Sequence, residues 1–438
     1  MSSEKKAGFY TLGCKLNFSE TSTIARQFGE AGIVRAQRGE KADIYVINTC
    51  SVTEHADKKC RNLIRKLVRE NPQALIAVTG CYAQLKPEEI ANIEGVDLVI
   101  GNNEKGMLCE RVRSLAGKGR AAVYTCDTEE LTSFFAAFST GDRTRAFLKV
   151  QDGCDYRCSY CTIPLARGGS RNMPVAELVT EAERIVRRGQ KEIVITGVNT
   201  GDFGKTTGET FSELLRALDR VAGVERYRIS SIEPNLLTDE VIAFTTASAK
   251  FQPHFHIPLQ SGSDRILRLM GRRYDTARFA DRIAAVRRAM PDAFIGIDVI
   301  VGFPGETEAD FRTTCDFLER LEPAFLHVFP YSVRPGTPAA GFPDRVSPQA
   351  AEERVRELTA LSARLHAAFS RRFVGTEAKV LFESTRKGGL MFGYTENYLR
   401  AEAPYRAGSV NRIVPVRLGG LTPEGNMACV PVGEHPND

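Results

Sequence analysis

The segment Cys154-Asp-Tyr-Arg-Cys158-Ser-Tyr-Cys161 decides the class of this chain, because one short loop offers three thiols. Four cysteines would close a metal site, whereas three leave one iron of a [4Fe–4S] cluster open to another ligand. A structural zinc site is the alternative, but zinc needs a fourth Cys or His nearby, and the next histidine is His254. The spacing therefore favours a cluster with an open iron.

Length and composition agree with an enzyme of the cytoplasm. A chain of 438 residues is long enough for two or three domains, each with a core of its own. Residues 1–6 lack the apolar run of a secretory signal, and no apolar stretch approaches the length of a membrane span, so we expect no membrane partner. The 11 cysteines indicate metal sites or catalysis rather than disulfides. A net charge of +5 permits a nucleic-acid partner without requiring one.

Strands and helices alternate in the first third of the chain, which predicts a parallel sheet. The predicted strands span residues 8–14, 43–50 and 74–81, and the predicted helices span 19–29, 55–70 and 87–93. Each strand ends in a cysteine: Cys14, Cys50 or Cys81. Because the carboxyl ends of parallel strands meet at one edge of a sheet, we expect these thiols to converge on a second cluster. Three separate buried cysteines are the alternative.

The central part of the chain predicts a partial barrel. After a linker over residues 116–144, strands are expected at 146–150, 191–197, 226–231, 255–258, 294–301 and 325–331, with helices between them. Six such units fit an open (β/α)6 barrel with its site at the carboxyl ends of the strands. A helix over 348–372 follows, and β-rich runs at 377–382, 391–400 and 412–418 predict a small carboxyl-terminal β-barrel. The predicted fold class is α/β.

Taken together, these cysteine sets and the β-rich tail resemble the methylthiotransferase family of radical S-adenosylmethionine (SAM) enzymes. The resemblance is carried by Leu-Gly-Cys14, Asn-Thr-Cys50, Gly-Cys81 and the Cys154 loop. It implies an amino-terminal methylthiotransferase domain over residues 1–118, a radical SAM domain over 140–373 and a TRAM domain over 374–438.

The resemblance also implies two [4Fe–4S] clusters and SAM as cofactors. Cys154, Cys158 and Cys161 would hold the SAM-cleaving cluster, and Cys14, Cys50 and Cys81 an auxiliary cluster that carries the sulfur. No catalytic residue is expected beyond these ligands. The residues expected around SAM and substrate are Asn199, Asp202, Glu233, Gln260, Asp298 and Gly302. The remaining cysteines show no ligand spacing and are interpreted as structural: Cys60, Cys109, Cys126, Cys315 and Cys429.

Three branches of the family differ in substrate: isopentenyladenosine in tRNA, threonylcarbamoyladenosine (t6A) in tRNA, or an aspartate of a ribosomal protein. The strings at residues 150–154, 163–168, 327–332 and 393–398 look most like the t6A branch, which acts at position 37 beside the anticodon. Arg167 and Arg171 could meet phosphates or the threonyl carboxylate, or be ordinary solvated arginines. The nearly neutral tail keeps the ribosomal-protein branch open.

The expected partners are the tRNA anticodon stem-loop, an electron donor such as a flavodoxin or ferredoxin, and a sulfur source. Basic residues along 58–69 could follow an RNA backbone or form a solvated helix face. A remote alternative is a non-catalytic iron–sulfur protein that binds RNA, which would need clusters but no SAM pocket.

Overall fold

A computed structural model describes residues 4–37, 39–115, 117–141 and 143–432. The extreme ends of the predicted first and last domains, residues 1–3 and 433–438, lie outside the described residues, as does Ala116 at the start of the predicted linker.

The chain contains strands in three groups, interleaved with helices. The strands are β1 (Lys6–Thr11), β2 (Val34–Arg35), β3 (Ile44–Thr49), β4 (Leu75–Gly80), β5 (Leu98–Ile100), β6 (Ala122–Tyr124), β7 (Arg145–Lys149), β8 (Gln151–Asp152), β9 (Arg171–Asn172), β10 (Glu192–Thr196), β11 (Arg226–Ile229), β12 (His254–Gln260), β13 (Phe294–Val301), β14 (Phe325–Pro330), β15 (Glu377–Lys387), β16 (Leu390–Tyr394), β17 (Arg400–Pro404), β18 (Ile413–Leu421) and β19 (Met427–Pro431). The helices are α1 (Lys15–Glu30), α2 (Glu54–Glu70), α3 (Cys81–Leu85), α4 (Pro87–Ala91), α5 (Leu108–Ser114), α6 (Ile163–Arg167), α7 (Val175–Arg187), α8 (Phe211–Asp219), α9 (Asp239–Ala247), α10 (Asp264–Leu269), α11 (Thr276–Ala289), α12 (Glu308–Leu321) and α13 (Pro348–Arg371).

The amino-terminal domain is a parallel six-stranded sheet in the order β2-β1-β3-β4-β5-β6, as the alternation predicts. Strand β3 is buried along its whole length because helices cover both faces of the sheet. Tyr45 and Ile47 pack with α2 on one face, while Ile44 and Val46 pack with α1 and α5 on the other. The edge strand β6 lies beyond residue 118, the predicted end of this domain.

Six parallel strands form the central barrel. They pair as β11-β10-β7 and β12-β13-β14, and the parallel bridges Tyr227–Phe251 and Ser231–His256 join the two sheets. Among the described residues no pairing joins β7 to β14, so the barrel is open on that side. The prediction of a partial barrel is confirmed, and the carboxyl ends of its strands point to one end of the molecule.

The tail forms a closed five-stranded barrel in the order β15-β16-β17-β19-β18. The single run predicted over 391–400 is wrong, because Tyr398 adopts a φ of 64° and a turn separates β16 from β17. Thr395 closes that turn by accepting a hydrogen bond from the Leu399 amide at 2.9 Å. Sequence patterning also misses β19, which completes the barrel.

Two arginines of β11 attach the tail barrel to the central barrel. Arg226 donates to the Lys379 carbonyl at 2.7 Å, and Arg228 donates to the Thr395 and Glu396 carbonyls, each at 2.7 Å. The tail barrel is thereby held against the amino end of the central strands. In the part of the chain that the structure describes, no helix combines the length and apolarity needed to cross a membrane.

Candidate active site

The three-cysteine loop follows β8 and leads into α6 at the carboxyl end of the first barrel strand. Backbone amides point at two of its sulfurs: Tyr156 N lies 3.4 Å from Cys154 Sγ, and Ile163 N lies 3.5 Å from Cys161 Sγ. Burial raises the pKa of both thiols to about 12. Free thiols in this loop would therefore stay protonated at neutral pH, and a bound metal is what would ionise them.

Gly153 lets this loop form. Its φ is 71°, and a Cβ at that position would lie 1.9 Å from the Gly169 carbonyl oxygen. Any side chain would therefore separate the loop from the segment that follows α6.

Arg272 supports the loop from the barrel side. Its guanidinium donates to Cys158 Sγ at 3.1 Å and to the Tyr160 hydroxyl at 3.3 Å, and it forms an ion pair with Glu233. Burial raises the pKa of Glu233, while Arg272 opposes that rise. Glu233, predicted to lie around SAM and substrate, is thus the residue that orients Arg272 beside the loop.

The second cysteine set converges at the carboxyl edge of the amino-terminal sheet. Cys14 caps α1, Cys50 follows β3 and Cys81 begins α3. Burial raises the pKa of Cys50 to about 12, and the nearby Cys81 and Cys14 add to the rise. At Gly13, whose φ is 105°, a Cβ would lie 2.6 Å from Cys50 Cβ, so glycine allows the first two loops to approach.

The spacing of the sulfurs fits a cluster better than a single ion. Zinc–sulfur bonds of about 2.3 Å bring tetrahedral ligands to within about 4 Å of one another. All six cysteines belong to the described residues, and neither set has its three sulfurs mutually within 4.8 Å. Three thiols without a fourth ligand among the described residues are the donor set of a [4Fe–4S] cluster with one open iron. Both sets therefore fit the group that their spacing in the sequence predicts.

Each set lies beside a cavity. The Cys161 cavity has a volume of about 300 Å³, and its walls include Tyr160, Gln260, Asp298 and Tyr331. Gln260 adopts a φ of 71° at an irregularity in the pairing of β12 with β13, a strained conformation of the kind found at binding sites. Two of the predicted SAM-site residues, Gln260 and Asp298, thus lie beside the three-cysteine loop.

The Cys14 cavity lies where all three domains meet and has a volume of about 330 Å³. Both cavities have the size of a small-molecule site. The Cys14 cavity is lined from the amino-terminal domain, the barrel strands and the tail barrel, by residues that include Cys14, Lys15, Arg145, His254, Tyr394 and Tyr398.

The other predicted SAM-site residues divide into two kinds. Asn199 is buried with neither side-chain amide atom hydrogen-bonded, and Asp202 has one buried carboxylate oxygen without a partner. Burial raises the pKa of Asp202. Unpartnered buried polar atoms are rare in proteins and fit a polar ligand. Gly302 instead donates its amide to Glu306 at 2.6 Å and lines neither cavity.

Arg167 and Arg171 are buried, not solvated, and line neither cavity. Arg167 pairs with Glu20 at 3.1 Å and Asp152 at 2.8 Å, which joins the amino-terminal domain to the barrel. Arg171 donates to the Ser133 carbonyl at 2.7 Å. Both cations have partners among the described residues, and Arg167 joins two domains, while their contact with the substrate stays a prediction.

Sequence reasoning missed a polar wall inside the barrel. His256 Nε2 lies 2.7 Å from Asp298 Oδ1, and the His256 ring stacks on His327 with centroids 4.9 Å apart. Two imidazoles and a carboxylate could hold a divalent metal, but the positive charge of Lys15 acts on the same carboxylate and disfavours a cation there. The positions of these residues in the strands could have indicated the wall, because Asp298 and His327 lie side by side where β13 pairs with β14.

Comparison with known proteins supports the arrangement of the whole chain. Two family models match: Uncharacterized protein family UPF0004 over residues 6–101 and Radical SAM superfamily over residues 148–318. Threonylcarbamoyladenosine tRNA methylthiotransferase MtaB of Bacillus subtilis is 42% identical, covering 94% of this chain and 93% of its own length. The protein of the same name from Thermotoga maritima is 38% identical, covering 96% and 95%.

A tRNA-2-methylthio-N(6)-dimethylallyladenosine synthase of Cereibacter sphaeroides is also similar, at 34% identity over 97% of this chain and 98% of its own. Among solved structures, the radical S-adenosylmethionine methyltransferase TsrM from Kitasatospora setae aligns with a TM-score of 0.56 over 89% of this chain and 80% of that chain. At 14% identity, this similarity concerns the fold alone.

Proposed function

The chain belongs to the radical SAM methylthiotransferase family, and we propose that it converts N6-threonylcarbamoyladenosine at position 37 of tRNA to its 2-methylthio derivative. The observation that carries the proposal is the pair of three-cysteine sets, each beside its own cavity, in a chain that aligns along nearly its full length with a t6A enzyme. The Bacillus subtilis relative named for t6A is 42% identical, whereas the Cereibacter sphaeroides relative named for dimethylallyladenosine is 34% identical. This difference favours t6A.

The family uses two [4Fe–4S] clusters and SAM. In this chain Cys154, Cys158 and Cys161 would hold the SAM-cleaving cluster, and Cys14, Cys50 and Cys81 the auxiliary one. When bound, these groups supply the one-electron chemistry and the sulfur that acid–base side chains cannot provide.

The protein's own residues position and shield that chemistry. Arg272 places a positive charge against the Cys158 sulfur and would favour its thiolate form. The unpartnered atoms of Asn199 and Asp202 would hydrogen-bond to polar groups of SAM, with the Asn199 amide nitrogen as donor and the Asn199 and Asp202 oxygens as acceptors. Around the Cys161 cavity, Tyr160, Phe329 and Tyr331 supply apolar surface that would limit the access of water to a reactive radical.

The partners follow from the substrate. tRNA would present the base from its anticodon stem-loop, and a flavodoxin or ferredoxin would supply electrons. A separate sulfur source would renew the auxiliary site, and we place the enzyme in the cytoplasm with its tRNA substrate. Isopentenyladenosine is not favoured, because the Cereibacter sphaeroides relative named for dimethylallyladenosine is 34% identical, whereas the Bacillus subtilis relative named for t6A is 42% identical. A ribosomal-protein aspartate and a non-catalytic RNA-binding protein are not favoured, because relatives named for t6A match along nearly the whole chain.

Nucleoside analysis of a deletion strain tests the proposal. Mass spectrometry of digested tRNA should show t6A without its 2-methylthio derivative, and the derivative should return when the gene is restored. Restoration with a Cys158→Ala gene should fail. Unchanged levels of the 2-methylthio derivative in the deletion strain, with no second enzyme of this activity in the organism, would contradict the proposal.

A further inference from the structure

Lys15 is a cation at an unusual place. It is the first residue of α1, directly after Cys14, and its side chain is only partly exposed. Both residues line the Cys14 cavity. A ligand that reaches the auxiliary cysteine set through this cavity therefore meets the ammonium group of Lys15.

No counter-ion for the Lys15 ammonium lies among the residues that the structure describes. Within the described ranges it forms neither a hydrogen bond nor an ion pair, although it interacts electrostatically with Tyr398 and Asp298 from a distance. A charge held away from bulk water without a partner is costly, so such groups are usually paired. A ligand that brings an anionic group into the cavity would supply the missing partner.

Two arginines that face Lys15, Arg145 and Arg228, already have partners within the chain. Arg145 contacts Glu383 at 3.2 Å and the Tyr398 hydroxyl at 3.2 Å. Arg228 pairs with Glu192 at 2.8 Å and donates to carbonyls of the tail barrel. Both raise the local positive potential without offering a free donor. The third arginine of the cavity wall, Arg143, is exposed and lies over the Phe18 ring at 4.6 Å from its centre. Lys15 is therefore the partly buried cation beside Cys14 that remains for an anion in the cavity.

The tail barrel gives the cavity an aromatic wall. Tyr394 and Tyr398 stack with ring centroids 4.7 Å apart, and the Arg145 guanidinium lies 4.2 Å from the centre of the Tyr394 ring. An aromatic surface suits a planar base, and a cation suits a carboxylate. The cavity thus combines the two features that a modified adenosine with an acidic substituent requires.

We propose that Lys15 binds the carboxylate of the threonylcarbamoyl group and thereby sets the choice of substrate. The inference rests on the proposed function and replaces the earlier expectation that Arg167 or Arg171 supplies this cation. Lys15 is a specificity residue, and the neutral dimethylallyl substituent would leave it without a partner.

A matched pair of RNAs tests the proposal. One anticodon stem-loop carries t6A. In the other, the threonyl carboxylate of t6A is converted to its methyl ester, which removes the negative charge and changes little else. The proteins are the cluster-loaded wild type, Lys15→Met, Lys15→Arg and the control Lys191→Met, which changes a lysine just before β10 whose side chain is 41% exposed. The measurements are the Kd of each RNA without SAM, the kcat/KM of methylthiolation and the iron content.

The wild type should prefer the acid over the ester by about 10- to 100-fold in kcat/KM, as expected for a charge-assisted hydrogen bond. Lys15→Met should lose that preference in both Kd and kcat/KM, chiefly because it binds and modifies the RNA with the free carboxylate less well. Lys15→Arg should keep most of this preference, and Lys191→Met should keep all of it.

Three results would overturn the proposal, and they are distinguishable. A preference that survives in Lys15→Met would assign the carboxylate to another residue, while the function would stand. Equal losses for acid and ester would mean that Lys15 contacts an RNA phosphate. Loss of half the iron in both Lys15→Met and Lys15→Arg would mean that Lys15 balances the auxiliary cluster's charge. A wild type that modifies neither RNA would contradict the proposed function itself.

Discussion

Arg272 donates a hydrogen bond to the sulfur of Cys158 at 3.1 Å. The arginine follows α10 of the barrel, whereas the cysteine lies in the loop after β8, so one buried guanidinium connects two distant parts of the chain. Glu233 fixes the guanidinium from its other side. The middle cysteine of the loop is therefore held by charge as well as by the backbone.

Replacing Arg272 by methionine should abolish or severely reduce formation of 5′-deoxyadenosine from SAM. The change removes the donor to Cys158 and leaves Glu233 buried without its partner, which should cost about 3–5 kcal/mol in the free energy of unfolding. Product chromatography and urea unfolding measure the two effects. Arg278→Met, which changes an exposed arginine, should alter stability by less than about 0.5 kcal/mol. Wild-type SAM cleavage in Arg272→Met would show that the contact is dispensable.

Anaerobic reconstitution should give about eight irons per chain, two clusters of four. Replacing Cys154, Cys158 and Cys161 together by alanine should leave about four. Cys60→Ser is the matched control, because this buried thiol contacts the Cys50 carbonyl at 3.4 Å yet is interpreted as structural. It should retain about eight irons. Zinc without iron in the wild-type protein, or four irons in Cys60→Ser, would refute the ligand assignment.

The two cysteine sets should separate by function. Cys158→Ala should form no 5′-deoxyadenosine, because the site that binds SAM is lost. Cys50→Ala should retain part of the SAM cleavage yet insert no sulfur, because the first site survives. Both activities are measured on folded, reconstituted protein. Equal loss of SAM cleavage in the two variants would argue against separate sites.

The buried ion pairs around Glu20 should make the free energy of unfolding depend on pH in the acid range. Glu20 is 1% exposed and pairs with Arg167 and Lys149, and these cations hold its pKa well below its usual range. Because the unfolded carboxylate takes up protons near pH 4.3 and the folded one only at lower pH, the contribution is complete above about pH 5 and falls with acidification.

Urea unfolding of the cluster-free protein between about pH 3 and 6 measures this loss. Glu20→Gln should be destabilised by about 3–5 kcal/mol at neutral pH and should show a shallower dependence on acid. Glu353→Gln, which changes an exposed residue with a partner 4.0 Å away, should follow the wild type. A wild-type curve that is flat below pH 4 would rule out the network as a source of stability.

The sequence predicts the parts of this fold that depend on local pattern. The strands that end at Cys14, Cys50 and Cys81 are apolar runs, and topology alone brings their carboxyl ends together. It does not predict the edge strand β6, because three half-buried residues give no periodic signal. The sequence also does not predict the turn at Tyr398. An aromatic residue is typical of a strand, and nothing in the sequence shows that this one adopts a left-handed conformation.

The roles of the charged residues at the site also could not be predicted from local sequence pattern. Arg167 follows the cluster loop in sequence and therefore looked available, but Glu20 and Asp152, distant along the chain, enclose it. Lys15 gave no signal, because nothing local reveals that a lysine lacks a counter-ion. Whether a cation has a partner depends on which distant residues pack against it. The spacing of residues along the sequence does not show this.

Methylthiolation by the purified, cluster-loaded enzyme tests the central claim most directly. The enzyme is given SAM, a reductant, a sulfur source and either tRNA bearing t6A or tRNA bearing isopentenyladenosine, and the digested nucleosides are identified by mass spectrometry. We expect the 2-methylthio derivative of t6A and little or none of the isopentenyl product. Modification of isopentenyladenosine in preference to t6A, or of a ribosomal-protein aspartate with both tRNAs untouched, would contradict it.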